Sequence, residues 1–282
     1  MTADMVELTT DGWEAGVLPQ AGGLIAFLRR AGVDVLRPLP EGSANPLESG
    51  CFPLVPFANR IAGARFRHDG AKVQLPRNFP PEECALHGIG WEQPWQVTAQ
   101  AAFKCTLEHS HDGRAGWPFA YHARQRIRLG PRGMAISLDL TNLSDRVMPC
   151  GLGLHPYFRR RPESLVRFAS AGVVLVGDDL IPSGEIADAA RFSDFAAGST
   201  LPDSLIDHCY TGWDAAATIT DNLGTITLTA RGAPCLHVFN GGGQLCLEPV
   251  SHVPDALNQN PAQMTHLPPG CSAMLEMTIS AS

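Results

Sequence analysis

Residues 121–140, YHARQRIRLGPRGMAISLDL, decide the fold class of this chain. Residues 121–129 and 134–140 alternate apolar and polar side chains, and residues 130–133 (GPRG) separate the two segments. A period of two with a Gly/Pro turn between the segments is typical of a β-hairpin. We expect one face of the hairpin to be buried and the other to face water. The expected buried residues are Ile127, Leu129, Met134, Ile136, Leu138 and Leu140, and the expected exposed ones are Arg126, Arg128, Ser137 and Asp139.

The rest of the chain repeats this pattern and has few signs of helix. Alternating segments recur at 71–75, 95–107, 164–176, 217–230, 235–239 and 272–279, and only residues 186–195 predict a short helix. The 28 Gly and 23 Pro residues favour many turns. Short strands between such turns predict an all-β protein, a large antiparallel β-sandwich or barrel with very little helix. No Ser/Gly-rich linker divides the chain, so we expect residues 1–282 to form a single domain.

The composition argues against several classes of function. The 282 residues contain 21 Lys+Arg against 28 Asp+Glu, a formal net charge of −7, whereas a nucleic-acid-binding face needs excess positive charge. No apolar run approaches the ~20 residues that span a bilayer, and the N-terminal residues lack the pattern of a signal peptide. The eight Cys residues form no C-x-x-C pair, which is typical of buried thiols in a reducing compartment. We therefore expect a cytoplasmic protein with no nucleic-acid or membrane partner.

Motifs for cofactor and metal chemistry are missing from the sequence. It contains no G-x-G-x-x-G before a helix, no G-x-x-x-x-G-K-[ST] and no H-E-x-x-H, so we expect neither a cofactor nor a metal. His109 and His111 could be two metal ligands on one strand face, but the polar segment around them favours a solvated turn. Histidines, carboxylates and an arginine on Gly/Pro-rich loops remain, and these groups suit proton transfer without a cofactor.

Five local sequences contain these groups. They are Asn59-Arg60-Ile61, Leu86-His87-Gly88, His155-Pro156-Tyr157-Phe158, Asp207-His208, and Leu247-Glu248-Pro249 with Pro254-Asp255-Ala256. Each histidine or carboxylate, taken alone, is more often a hydrogen-bonded structural group than a catalyst. Glu248 is the most diagnostic residue, because it lies at the end of an alternating strand that Pro249 would terminate. A partly desolvated carboxylate at that position would have a raised pKa and would suit a general base.

In their order and spacing these motifs resemble the aldose 1-epimerases, also called galactose mutarotases, over about residues 16–270. The resemblance implies a large antiparallel β-sandwich with the sugar site in an open cleft, and an isomerase that needs no cofactor. It also implies His155 as the general acid and Glu248 as the general base. The residues that resemble the family's sugar-binding or cleft-lining groups are Asn59, Arg60, His87 and Asp207.

Such a pair is what mutarotation requires. The reaction interconverts α and β hemiacetals through an open-chain aldehyde. A base removes the proton of the C1 hydroxyl while an acid protonates the ring oxygen, and ring closure after rotation about C1–C2 reverses the two roles. Two positioned proton-transfer groups contribute roughly 10²–10⁴-fold each, which is sufficient for a reaction that water already performs.

Two positions depart from the family pattern. His237 stands where family members often have Gln, and we expect it to bind a sugar hydroxyl. Arg159-Arg160-Arg161 stands where many mutarotases have a neutral residue, and clustered guanidinium groups suit phosphate oxygens. The preferred partner is a free monosaccharide, and a sugar-6-phosphate 1-epimerase is the alternative.

Two further functions stay open on these residues. A carbohydrate-binding protein without turnover would keep the cleft, although binding alone needs no acid–base pair. A hydrolase that uses Ser251 and His252 is disfavoured, because adjacent residues on a strand point to opposite sides. The chain could be a monomer or a homodimer. The aromatic residues that could pack on the C–H face of a sugar, or else lie in the core, are Trp91, Tyr157 and Phe239.

Overall fold

The computed structural model describes residues 5–282, and most of its regular structure is β-strand. In chain order the first strands are β1 (Val6–Thr10), β2 (Trp13–Leu18), β3 (Leu24–Arg30), β4 (Val33–Leu36), β5 (Pro53–Leu54), β6 (Arg60–Ile61), β7 (Arg65–His68), β8 (Ala71–Gln74), β9 (Ala85–Leu86), β10 (Gln96–Ala101), β11 (Lys104–Asp112), β12 (Ala120–Gly130) and β13 (Gly133–Asn142). The others are β14 (Met148–Cys150), β15 (Gly153–Leu154), β16 (Tyr157–Phe158), β17 (Leu165–Phe168), β18 (Gly172–Val176), β19 (Pro182–Ala187), β20 (Ser199–Thr200), β21 (Ile206–Thr211), β22 (Ala216–Asp221), β23 (Gly224–Arg231), β24 (Cys235–Gly241), β25 (Gln244–Val250), β26 (Thr265–Leu267) and β27 (Ser272–Ala281).

Helix contributes little to this fold. One four-residue α-helix, α1 (Ala256–Gln259), and short 3₁₀ turns at Pro46–Glu48, Ala62–Ala64, Gly90–Glu92 and Pro261–Gln263 are the helical segments of residues 5–282. No helix in this range has the length and apolar character needed to cross a bilayer. The all-β prediction is confirmed.

The hairpin that decided the fold class has the predicted geometry. β12 and β13 pair antiparallel from Tyr121↔Asn142 to Gly130↔Gly133, with a two-residue turn between the strands. All six apolar residues of the predicted inner face are buried, whereas the predicted outer residues are exposed or half-buried. The period of two therefore identified both the strands and the face that packs.

Two large antiparallel sheets form the sandwich. One has the order β1-β2-β3-β4-β16-β25-β24-β21-β18-β19, with β15 pairing to β25 and β5. The other has the order β10-β11-β12-β13-β27-β23-β22-β17-β20. A single hydrophobic cluster takes side chains from both sheets, including Leu236 and Leu247 of the first and Leu138 and Ile279 of the second. Burial between facing sheets is the main stabilisation of such a fold. That residues 1–282 form a single domain stays a prediction.

The central strands of the first sheet are covered on both faces. Leu236, Val238, Leu245 and Leu247 point toward the second sheet and belong to the shared cluster. The alternate residues of the same strands point the other way, and a smaller apolar cluster lies there with Phe52, Tyr157, Cys209, Cys235, Cys246 and Val250 among its members. The polar residues on this second face lie beside buried apolar groups, which is the setting that changes their proton affinity.

Two sequence predictions need correction. Residues 186–195 do not form a helix, because β19 (Pro182–Ala187) takes up the first of them and a turn follows in which Asp188 Oδ1 accepts the Ala190 N–H. Side chains of Asp that bond to nearby backbone compete with helix in this way. His109 and His111 do not lie in a solvated turn, because both belong to β11 (Lys104–Asp112) and His109 is buried.

Candidate active site

Three adjacent strands bring carboxylate and imidazole groups to one face of the first sheet. β21, β24 and β25 are neighbours, and their register sets His237 opposite both Cys209 and Glu248. Asp207 lies two residues before Cys209 on the same face, so it is the diagonal neighbour of His237. Asp207 Oδ1 accepts a hydrogen bond of 2.6 Å from His237 Nε2. Sheet register alone therefore places Asp207, His237 and Glu248 side by side.

A pair of tight turns brings Asn59, Arg60 and His87 to the same place. β6 and β9 pair Arg60 with Leu86, and the residues just outside this pairing, Asn59 and His87, both have positive φ. Two hydrogen bonds join these residues: the His87 backbone N–H donates to Asn59 O, and the Asn59 backbone N–H donates to the ring Nδ1 of His87. The next residue is glycine because a Cβ at position 88 would lie only 2.3 Å from Val55 O. A strained backbone of this kind is found most often at binding and catalytic sites.

His155 is held by a stack of flat groups. Its ring lies 4.6 Å from the Phe52 ring and 4.7 Å from the Tyr157 ring, centroid to centroid, and these two rings are 6.4 Å from each other. The guanidinium of Arg37 lies over the Tyr157 ring at 3.7 Å. In this orientation His155 Nε2 lies 3.3 Å from Glu248 Oε1. His155 Nδ1 and Glu248 Oε2 are buried and have no hydrogen-bond partner among residues 5–282.

Burial dominates the proton affinities of this pair. Glu248 is 2% exposed, and desolvation raises its pKa to about 8, although the cations of His237 and Arg60 act against the rise. Burial, followed by the positive charges of His237 and Arg37, lowers the pKa of His155 to about 3. At neutral pH the pair therefore holds one proton, and the resting position of that proton is the carboxyl group of Glu248.

Arg60 is fixed by two carboxylates. Its Nε and Nη2 donate to Glu82 at 2.7 and 3.0 Å, and its Nη1 lies 3.4 Å from Asp207 Oδ2. Sequence reasoning missed Glu82, because it is one of two adjacent glutamates in a proline-rich loop and nothing local shows which of them turns inward. The bidentate geometry holds the guanidinium plane in one orientation.

All the residues that the sequence singled out for the site border one cavity of about 390 Å³. These residues are Asn59, Arg60, His87, His155, Asp207, His237 and Glu248. The exposed side chain of Leu205 lies at the rim, so the cavity opens to solvent. Of the three candidate aromatic residues, Tyr157 and Phe239 line the cavity, whereas Trp91 does not. Trp91 is buried behind Phe52 and donates its indole N–H to Gly88 O, so its role is in packing.

The donor set does not favour a metal ion. Ligand atoms of His87, His155 and Glu248 lie within 4.8 Å of one another, a spacing that could suit a cation. His87 Nδ1, however, accepts the backbone N–H of Asn59, so in the neutral ring the proton is on Nε2. A protonated Nε2 is a hydrogen-bond donor and not a ligand, which leaves two ligating groups. His87 is instead placed to donate to an oxygen in the cavity.

Two more groups that the sequence singled out have structural roles. Arg159 donates to both oxygens of Asp221 and to Asp34 O, and none of these residues borders the cavity. His252 accepts the Ala58 N–H and donates to Val253 O, so both of its ring nitrogens are occupied. Neither a phosphate clamp at Arg159 nor a hydrolytic pair with His252 has support in this geometry.

Comparison with known proteins identifies the family of the chain. The family model of the aldose 1-epimerases matches residues 4–280. The chain belongs to the aldose 1-epimerase family. It is 30% identical over 271 residues to the uncharacterized protein YphB of Escherichia coli K12, with 92% of each chain covered.

Solved structures of similar proteins have the same fold. A candidate aldose 1-epimerase from Escherichia coli K12 superimposes with a TM-score of 0.92 at 29% identity, covering 99% of both chains. A galactose mutarotase-like protein from Clostridium acetobutylicum superimposes with a TM-score of 0.87 at 17% identity, covering 99% of this chain and 95% of that one. The predicted galactose mutarotase-like β-sandwich is thus confirmed.

Proposed function

We propose that this member of the aldose 1-epimerase family interconverts the α and β anomers of a free aldose by general acid–base catalysis. The observation that carries the proposal is the contact of 3.3 Å between His155 Nε2 and Glu248 Oε1 at the wall of an open cavity. An anomeric carbon bears two oxygens, the C1 hydroxyl and the ring oxygen, and each of them needs one proton-transfer partner. Two adjacent groups that share one proton meet that need.

The proposed catalytic cycle leaves the pair with the same number of protons as it had at the start. Ring opening begins when the shared proton passes from Glu248 Oε1 to His155 Nε2 over their 3.3 Å contact, which makes Glu248 a carboxylate and His155 an imidazolium. Glu248 takes the C1 hydroxyl proton while His155 gives its proton to the ring oxygen, which leaves a neutral carboxyl and a neutral imidazole. After rotation about C1–C2, ring closure runs the same transfers backward on the other face of the aldehyde. The pair holds one proton at the start and at the end, so no external acid or base is consumed.

The surrounding groups are suited to hydroxyls. His87 presents an N–H donor, Arg60 presents guanidinium N–H groups held by Glu82, and Asp207 presents a carboxylate acceptor. Tyr157 and Phe239 add apolar surface to the cavity wall. Sugar sites combine such charged or polar hydrogen bonds with aromatic contact to C–H faces.

The charge of the cavity favours a neutral sugar over a sugar phosphate. Arg60 is the one arginine or lysine that borders the cavity within residues 5–282, and two carboxylates already neutralise it. Asp207 borders the same space and also holds His237, so a phosphate dianion would find no cationic group in the cavity that lacks a carboxylate partner. The arginine cluster after Phe158 offers no compensation, because Arg159 is bound to Asp221.

Polarimetry tests the proposal directly. Fresh α-glucose and α-galactose would be added to the purified protein, in parallel with their 6-phosphates, and the approach to anomeric equilibrium compared with the uncatalysed rate. We expect acceleration with the free sugars and little with the phosphates. Acceleration confined to the phosphates would favour the sugar-phosphate epimerase. Saturable binding of the free sugars, measured by calorimetry, without any acceleration would show a binding protein and overturn the proposal.

A further inference from the structure

His237 lies between the catalytic pair and a carboxylate that is already ionised. Its backbone is directly opposite Glu248 on β25, and its Nε2 donates to Asp207 Oδ1 on β21 at 2.6 Å. The side chain is 3% exposed, so water does not screen its interactions. Its ring nitrogens lie equally far, 3.4 Å, from Asn59 Nδ2, so that amide does not select one of them as acceptor.

The protonation of His237 follows from the charges that face it. Burial acts to lower the pKa of His237, but the negative charges of Glu248 and Asp207 raise it above its ordinary value, with Arg60 acting weakly in the opposite direction. Burial lowers the pKa of His87 and of His155, and each of these rings is also repelled by His237. Among the three imidazoles that border the cavity, His237 is thus the one whose pKa is raised, and its Nε2 donates to the buried carboxylate of Asp207. Two further titratable neighbours lie on β21: His208, whose pKa is lowered, and Cys209 directly opposite His237, whose thiol pKa is raised.

We infer that His237, held as an imidazolium by Asp207, is a positioning residue whose positive charge sets how readily Glu248 gives up its proton. This inference rests on the proposed function, since it assigns a role within that same acid–base cycle. Among the charged groups around Glu248, His237 has the largest effect in lowering the carboxyl pKa against the effect of burial. Asp207 acts in the opposite sense on Glu248, so its contribution is to hold His237 in the charged form.

A neutral side chain at this position should therefore change the pH behaviour of the site. His237→Gln keeps an amide donor for Asp207 but removes the cation. Without that cation the Glu248 carboxyl keeps its proton to higher pH, and the alkaline limit of activity moves upward with it. A residue with only a packing role, or one that only bonds a sugar hydroxyl, would change KM or stability and leave the limit in place.

The first measurement needs no variant. Histidine labelled with ¹³C and ¹⁵N would be followed by NMR in the full-length protein across pH 5–9. We expect the buried imidazole of His237, identified by resonance assignment of the wild-type protein, to be protonated at pH 7, while those of His87 and His155 are neutral. A neutral His237 at pH 7 would overturn the inference even if the variant failed to fold.

The second measurement compares His237→Gln with His122→Gln. His122 faces the carboxylate of Glu108 at 3.4 Å on the other sheet, so the control removes an imidazole from a chemically similar pair. The carboxyl signal of Glu248 would be titrated by ¹³C NMR, and log(kcat/KM) measured against pH. We expect His237→Gln to raise both midpoints by about one pH unit, a tenfold change in proton affinity, with His122→Gln unchanged.

The outcomes separate the inference from the proposed function. If the wild-type protein does not accelerate mutarotation, the proposed function fails, and the carboxyl titration still shows whether His237 controls Glu248. If the wild-type protein is active and the midpoint of Glu248 is the same in His237→Gln, the role of His237 is disproved. An equal shift in His122→Gln would also disprove it, because the effect would then not depend on position.

Discussion

The protein contains the same pair of side chains in two places, and the two places differ in what surrounds them. Glu248 and His155 lie 3.3 Å apart in the cavity of the first sheet, and Glu108 and His122 lie 3.4 Å apart on the second sheet. The cavity pair has side chains that are 2% and 9% exposed, whereas those of the second pair are 27% and 25% exposed. Composition and distance are nearly identical, so any difference in chemistry comes from the environment.

That environment moves the two carboxyl pKa values in opposite directions. A hydrogen bond from Arg124, the residue opposite Glu108 on β12, lowers the pKa of Glu108. Burial raises the pKa of Glu248 to about 8. Glu108 is therefore a fixed anion at neutral pH, and Glu248 is a group that can take and release a proton. A carboxylate–imidazole pair can act in acid–base catalysis only where it is shielded from water and the carboxylate has no hydrogen bond from an arginine.

The largest difference between the pairs should be seen on removing each carboxyl group. We expect Glu248→Gln to lose roughly 10²–10⁴-fold in kcat for mutarotation, because the amide cannot accept the C1 hydroxyl proton. Glu108→Gln should keep wild-type kcat. Initial rates by polarimetry on both purified variants would test this, and near-normal turnover by Glu248→Gln would remove Glu248 from the mechanism.

Replacing the histidine of each pair should show the same contrast in kcat, with a smaller loss at the cavity pair. His155→Asn keeps a polar side chain beside Phe52 and Tyr157 but removes the group that protonates the ring oxygen. We expect a loss of about 10²-fold in kcat, since water can protonate that oxygen in its place. His122→Asn should have wild-type activity. Thermal unfolding of both variants would establish that the fold is kept, and equal kcat values for the two would contradict the assignment.

The pH profile should report the cavity pair alone. Above the pKa of Glu248, about 8, the pair loses its only proton and has none to give to the ring oxygen. We therefore expect kcat/KM to fall about tenfold per pH unit on the alkaline side of that value. Glu108→Gln should leave the profile unchanged, since the Glu108 carboxyl is ionised throughout this range. A profile flat from pH 7 to 10 would show that the proton shared by Glu248 and His155 is not required.

The contrast between the pairs also shows what the sequence can and cannot predict. β12 and β13 were predictable because alternation of apolar side chains is a local signal, and the failed helix at 186–195 shows how a single Asp that bonds to its own turn overrides periodicity. Membership of the site followed from the resemblance to a family. The proton affinities of the site residues could not be predicted in this way, because they depend on contacts between residues distant in sequence. Two such contacts are the packing of Phe52 against His155 and the Asn59 N–H that fixes the tautomer of His87.

The smallest predicted effect, on stability, has opposite signs at the two carboxyl groups. In the unfolded chain Glu248 loses its proton near its ordinary pKa of 4.5, whereas in the folded protein it keeps the proton to about pH 8. The stability that this group contributes is therefore present below pH 4.5 and is lost as pH rises through 8. Gln does not ionise, so Glu248→Gln removes that loss. Between pH 5 and pH 8 the free energy of unfolding of this variant should exceed that of the wild type by about 1–3 kcal/mol. The pKa of Glu108 is lowered in the fold, so its contribution is present above the unfolded value, and Glu108→Gln should lose up to about 1 kcal/mol at pH 8. Urea unfolding at the two pH values would measure both. Changes of the same sign at the two sites would mean that burial does not separate the cavity pair from its exposed counterpart.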